Sequence, residues 1–318
     1  MTEICFHCSH EEYPPSRLVD LAVQAEQVGF DGIHSSDHLS PWLPGGESGF
    51  AWSWLGAAMA RTSVPFGIVT APGWRYHPVV HAQAIATVAE MFPGRLTVSL
   101  GSGEASNEHV TGEPWPVKPA RNARLETSAA LIRRLLAGEE VDCDDPPVHR
   151  GRIWSRPETP PPLFAAAMTP ETAGFVAGWA DGLITVGCEP AKVAEVIAAF
   201  RDGGGEGKPV HLQVHLSWAD DDDAARRAAV DRWPINALPP AQTQDLITPE
   251  QFAEQTGHLD PQEIIDSMIV SSNSAVHAAA LGELCDLGLE RLVVHQVGAD
   301  QERFLDHWTP AVLPALRA

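Results

Sequence analysis

The chain has 318 residues, 44% of them hydrophobic, with 42 acidic side chains against 21 basic ones and a formal net charge of −21. That balance argues against nucleic acid and anionic membrane surfaces as partners, because neither would gain counterion release or electrostatic attraction. No stretch reaches the ~18 apolar residues that span a bilayer, and the opening Met1-Thr2-Glu3-Ile4-Cys5 lacks the segments of a signal peptide. Five scattered cysteines fit reduced thiols better than a disulfide framework. The expectation is a cytoplasmic, enzyme-sized chain acting on a small molecule.

In chain order, short apolar runs predict strands over Ile4–His7 and Gly32–Ser35, with a helix over Leu18–Val28 between them. Leu18, Leu21, Ala22, Ala25 and Val28 form one helical stripe. Strand Phe66–Thr70 precedes helix Val79–Met91, and strand Leu96–Leu100 precedes helix Ala120–Leu136. Strands follow at Leu163–Ala166, Gly182–Val186 and Val210–Leu216, with helix Pro190–Phe200 before the last. A short candidate strand at Met268–Ser271, helix Ala275–Leu287, strand Arg291–His295 and helix Gln301–Leu316 complete the series. Such alternation points to parallel βαβ units. About eight of them favour an α/β fold, a single (β/α)8 TIM barrel over residues 1–318, rather than an open sheet.

Two stretches interrupt the rhythm. Glu140–Pro162, rich in Pro, Asp and Arg, and Asp220–Pro261 both read as insertions over the barrel's C-terminal face, and so as candidate lids. The aspartates Asp220–Asp223 need no ligand, since acidic residues opening the helix Ala224–Trp233 complement its dipole. Gly203-Gly204-Gly205 follows a helix and reads as a turn, not a phosphate loop.

The densest chemistry follows the fourth strand, in Gly101-Ser102-Gly103-Glu104-Ala105-Ser106-Asn107-Glu108. Glycines at a strand end let backbone N–H groups approach a flat or anionic ligand, and Glu104 stands where barrels place catalytic groups. After the second strand, Ser36-Asp37-His38 offers a carboxylate and an imidazole, with the indole of Trp42 behind Pro41. An Asp-His pair there would hold His38 in one tautomer. The third strand ends in Thr70-Ala71-Pro72-Gly73-Trp74-Arg75-Tyr76-His77-Pro78, small enough to back a planar ring. Cys5, His7, Cys8 and His10 have the composition of a metal cluster, but alternate strand residues face opposite ways and no metal is expected.

Together these motifs resemble the luciferase-like flavin and deazaflavin oxidoreductases, and most the branch containing F420-dependent glucose-6-phosphate dehydrogenase. The matching pieces run in order over nearly the whole chain: Ser36-Asp37-His38 with Pro41-Trp42, Arg75-Tyr76 with Pro78, and Ala82-Gln83-Ala84. Then come Gly101-Ser102-Gly103-Glu104-Ala105 with Asn107-Glu108, Ala180-Asp181-Gly182, and Asp300-Gln301 before Arg303-Phe304-Leu305. The resemblance implies a barrel, a homodimer, and either FMN or coenzyme F420 as cofactor. It implies that His38 is the base, that Trp42 holds the intermediate, and that Glu104 handles the proton of the cofactor's pyrimidine edge. It also implies cofactor contacts from Asp37, His38, Val69, Thr70, Ser102, Gly103, Glu104 and Asn107, with Ala167, Met168 and Thr185 from later strand ends. A non-proline cis peptide around Ile68–Thr70 belongs to the same implication.

The chain also departs from that branch. Where the sugar-phosphate enzymes have two lysines and an arginine, the corresponding positions are Cys188, Thr243 and Ser267. A phosphate buried without cations is strongly disfavoured, so glucose 6-phosphate is not expected as substrate. The family's Ala-Ala-Gly-Gly-Pro loop is replaced by Ala166-Ala167-Met168-Thr169-Pro170. The implied activity is hydride transfer between a small organic substrate and FMN or F420, with an FMN-dependent monooxygenase as the alternative. A barrel hydrolase holding a metal on Asp37, His38, His7 and His215, and a non-catalytic flavin-binding protein, are the readings from other classes.

Overall fold

The computed structural model describes residues 1–317. Eight parallel strands form a closed barrel: β1 (Glu3–Cys8), β2 (Gly32–Ser36), β3 (Phe66–Thr70), β4 (Leu96–Leu100), β5 (Leu163–Ala166), β6 (Leu183–Val186), β7 (Val210–Ser217) and β8 (Arg291–Gln296). Closure is made between β1 and β8, with Glu3 opposite Arg291 and Phe6 opposite Val294. The strands are covered on both faces, which is why they read as nearly continuous apolar runs. The predicted strand near 268 is only Ile269–Val270, added to the end of β7 beside Leu216 and Ser217.

The helices follow the predicted stripes. Pro15–Gln27 starts on a proline at its first turn and buries Leu18, Leu21, Ala22 and Ala25. Ala51–Arg61 escapes the sequence reading because the face opposite its buried Trp52, Trp54, Leu55 and Met59 carries Gly56, Ala57 and Ala60, which differ little from it in polarity. The last helix is not uniform: Phe304–Trp308 is a π turn leading into Thr309–Leu316. Pro310 has no N–H to donate, so the ordinary ladder breaks there. No helix among the described residues is long and apolar enough to cross a membrane.

The two insertions behave differently. Residues 140–162 follow a helix, not a strand, so they start from the opposite end of the barrel. They form the antiparallel hairpin Val141–Cys143 with Val148–Gly151, and none of them lines a cavity described below. The lid expected there is therefore a hairpin on the barrel's flank. Residues 220–261 follow β7 and do cover the mouth. Asp221 caps the helix Asp222–Arg232, accepting from the N–H of Ala224 at 2.7 Å. The short helices beyond it fold over a second small core of Trp233, Ile235, Leu238, Phe252 and Ile264, against which Trp42 packs.

Candidate active site

Two cavities meet at the C-terminal end of the barrel. The larger, a slot of about 570 Å³, is walled by Val69, Thr70, Ala71, Gly101 and Ala166, and its far end carries Lys118 and Arg121. The smaller, about 210 Å³, lies under the 220–261 insertion, between Trp42 and Trp233. His38 and Glu104 line both. Thus a strand-β2 end and a strand-β4 end supply the two ionisable groups at the junction.

Sequence neighbours do not make the contacts at His38. Its Nε2 lies 3.2 Å from Oε1 of Glu11, a carboxylate from the β1 end whose side chain is only 3% exposed. Its Nδ1 lies 3.2 Å from Nδ2 of Asn107 and 3.8 Å from Oε2 of Glu104. Asn107 is fixed by its oxygen, which accepts from the backbone N–H groups of Leu39 at 2.8 Å and Ser40 at 3.3 Å. Its amide nitrogen therefore faces His38 and Glu104, donating to Glu104 at 3.2 Å. This pattern assigns His38 as the tautomer with hydrogen on Nε2, given to Glu11, and a lone pair on Nδ1. Trp42 presses edgewise on the imidazole at 4.9 Å and is itself backed by Phe252 at 5.1 Å between centroids.

Asp37 points elsewhere, which corrects the expected Asp37–His38 pair. Its carboxylate accepts from Thr70 Oγ1 at 2.9 Å and from the Tyr76 hydroxyl at 3.1 Å, while Arg75 donates to its backbone oxygen at 2.9 Å. Glu108 accepts from the backbone N–H of Arg75 at 2.7 Å. Burial pushes the Glu108 carboxyl up to about 7 against the pull of Arg75, and lowers His81, beside Thr70 Oγ1, to about 4. Burial also raises the Glu104 carboxyl above its usual range, although the nearby His38 opposes the shift.

The slot suits a planar cofactor with an anionic tail. Its backing residues are small, and Gly103, at φ +83°, takes a conformation that side chains resist. A Cβ there would also lie 3.0 Å from Glu108 Cγ. Asp37, Val69, Thr70, Ser102, Gly103, Asn107, Ala167 and Met168 all line the slot. Thr185 lines only the smaller chamber. The expected cis peptide near Ile68–Thr70 is absent: Ile68, Val69 and Thr70 pair in regular register with Val98, Ser99 and Leu100. The N–H of Asp37 and of Gly101 donate to Val69 and Thr70, so extended trans backbone satisfies the whole segment.

Among the tryptophans near the mouth, Trp42 and Trp115 line cavities, whereas Trp74 packs outside them against Trp115, under Arg124. Among the described residues, no group of three or more His, Cys, Asp and Glu is placed to hold a metal ion. Cys5, His7, Cys8 and His10 diverge, with His10 against Trp54 and the Cys8 thiol on the Leu18 carbonyl. Glu11 was missed because nothing local marks it; the parallel pairing of β1 with β2 brings the turn after β1 beside the end of β2. Of the three positions matched to the phosphate clamp, only Thr243 lines the chamber, while Cys188 and Ser267 contact each other outside its lining. Cys188 Sγ donates to the Ser267 carbonyl, Asn236 donates to the same oxygen at 2.7 Å, and Thr243 lines the wall. The chamber lining holds no lysine or arginine.

Comparison with known proteins agrees with this geometry. The chain is 36% identical to a protein of Nakamurella multipartita named F420-dependent glucose-6-phosphate dehydrogenase, over 98% of this chain and 96% of the relative. The structure superposes, at TM-score 0.91 and 26% identity, on an F420-dependent secondary alcohol dehydrogenase in complex with an F420-acetone adduct, covering 100% of this chain and 99% of that one. A monooxygenase from Streptomyces bottropensis shares the fold at TM-score 0.73 and 20% identity, with 99% of each chain covered. The family model described as luciferase-like monooxygenase matches residues 2–291, and the chain belongs to that family of flavin- and F420-dependent oxidoreductases and monooxygenases.

Proposed function

We propose that the protein transfers a hydride between a small uncharged organic alcohol or carbonyl compound and F420 or FMN, and does not act on glucose 6-phosphate. The observation that carries this reading is the placement of His38 and Glu104, 3.8 Å apart, where the slot and the chamber meet. A flavin or deazaflavin bound in the slot would supply the two-electron acceptor. Asp37, Gly103 and Asn107 would hold its ring, and Lys118 and Arg121 would meet an anionic tail.

The chain's own groups then divide the proton work. His38 takes the hydroxyl proton, and the Glu11 carboxylate, 3.2 Å from its Nε2, holds the ring and stabilises the charge that forms on it. Glu104, raised by burial, keeps a proton closer to neutral pH and is suited to give it up toward the slot. Trp42 and Trp233 exclude water above the reacting carbon. The relatives' F420-dependent names support the deazaflavin first. Denaturing the purified protein and recording the absorption maximum and mass of what it releases decides between FMN and F420. His38→Ala is expected to abolish turnover while the cofactor still binds; unchanged turnover removes His38 from the mechanism. Glucose 6-phosphate oxidised at ordinary efficiency overturns the substrate assignment.

A further inference from the structure

The chamber under the lid is more polar than a pocket for a simple alcohol requires. Its roof, from the insertion and Trp42, is mostly apolar, with Trp42, Trp233 and Leu238 beside Asn236, but its floor presents His7, Gln213 and His215. The floor is part of the barrel itself. His215 on β7 stands in register with His295 on β8, and His7 on β1 lies next to His295, with ring centroids 5.0 and 4.6 Å apart. Three adjacent strands thus contribute one layer of imidazoles below the reacting centre.

The members of that layer are unequally satisfied. His295 is half matched, with Nε2 at 2.9 Å from Glu12 Oε2 and a buried Nδ1 that has no partner among the described residues. His215 is matched through Gln213, at 3.3 Å. On the lid side, Asn236 spends its amide nitrogen on the Ser267 carbonyl at 2.7 Å and hydroxyl at 3.1 Å. His7 is not matched: it is 3% exposed, and its buried Nδ1 has no partner among the described residues. Burial holds His7 and His215 well below the usual imidazole range, so each is neutral and offers one donor and one acceptor.

An apolar substrate over this floor leaves the lining His7 without a hydrogen-bond partner, whereas a substrate with a second hydroxyl gives it one. An anion is disfavoured, because Glu11 and Glu104 line the chamber and no cation does. About 210 Å³ is less than the roughly 300–1,000 Å³ of pockets for drug-sized ligands, which limits the occupant to a small molecule.

We propose that the substrate is a small uncharged polyol, or the hydroxyketone formed from it, whose second hydroxyl is read by His7 and Gln213 on the barrel floor. This rests on the oxidoreductase reading above. The reacting carbinol loses its C–H electron pair as hydride to the bound flavin or deazaflavin, and its O–H proton goes to His38. The carbonyl product keeps the neighbouring hydroxyl on the floor.

The test uses the cofactor-loaded protein and alcohols paired so that they differ by one hydroxyl: 1,2-propanediol against 2-propanol, and 2,3-butanediol against 2-butanol. The expected result is a kcat/KM at least tenfold higher for each diol. In His7→Phe and Gln213→Leu the ratio falls toward one. Ligand-detected NMR on the cofactor-free chain gives a second readout, with the diol bound more tightly than its partner. Equal or better turnover of the mono-alcohols means that the floor only holds water; it overturns the polyol assignment and leaves the oxidoreductase standing. Turnover of no alcohol by protein that retains its cofactor overturns both.

Discussion

Asn107 is the residue through which the base and the acid of this site are tied together, and Asn107→Asp tests that tie with almost no change of shape. The oxygen that accepts from Leu39 and Ser40 is retained. The nitrogen that donates to Glu104 Oε2 and His38 Nδ1, each at 3.2 Å, becomes a second carboxylate oxygen. Two ionised carboxylates at that separation repel by about 5 kcal/mol at an effective dielectric constant of ~20. This is an upper figure, because the Glu104 side chain is 27% exposed and water screens part of it. The folded variant therefore holds one proton more tightly than the unfolded chain does. Its stability relative to the parent falls as pH rises from the ordinary carboxylate range toward neutrality. Denaturant melts of the cofactor-free proteins at pH 5 and pH 8 measure this. The expected difference is within about 1 kcal/mol at pH 5 and ~2–4 kcal/mol at pH 8. A loss that is the same at both pH values would show that the two side chains do not share a site, and the paired acid–base reading would fail.

Gly103→Ala places a side chain at φ +83° and against Glu108 Cγ at 3.0 Å; a loss of about 1–2 kcal/mol in thermal or chemical melts is expected, with weaker cofactor binding by fluorescence titration. Parent-like stability and affinity would mean that the loop rearranges freely. Phe252→Ala empties a fully buried ring from the second small core. The cost is ~3–5 kcal/mol, and it should appear in hydrogen exchange over 220–261 before the barrel strands. Uniform loss of protection across β1–β8 would show that the insertion has no separate core.

The glycine-rich segment after β4 illustrates what local sequence can carry. Two glycines flanking a strand end, then a carboxylate and an asparagine, specify a backbone turn and place Glu104 and Asn107 together. The barrel was legible for the same reason: buried parallel strands and one-sided helices impose periods of different kinds on the chain. Helix Ala51–Arg61 was not legible, since its outer face carries Gly56, Ala57 and Ala60 and so contrasts little with the buried one. The 140–162 stretch had the composition of a lid, but its place after a helix put it on the flank.

What the sequence determined by itself was the barrel and the set of residues at its rim, because strand alternation and turn chemistry act between near neighbours. The tertiary structure decided who pairs with whom. Asp37 and His38 are consecutive, and consecutive side chains at a strand end point apart, so Asp37 turns to Thr70 and Tyr76. The carboxylate for His38 comes instead from Glu11, in the turn after the adjoining strand β1. Pairing of β1 with β2 sets that distance, and closure of β1 on β8 sets the imidazole layer under the lid, and no short-range pattern encodes either.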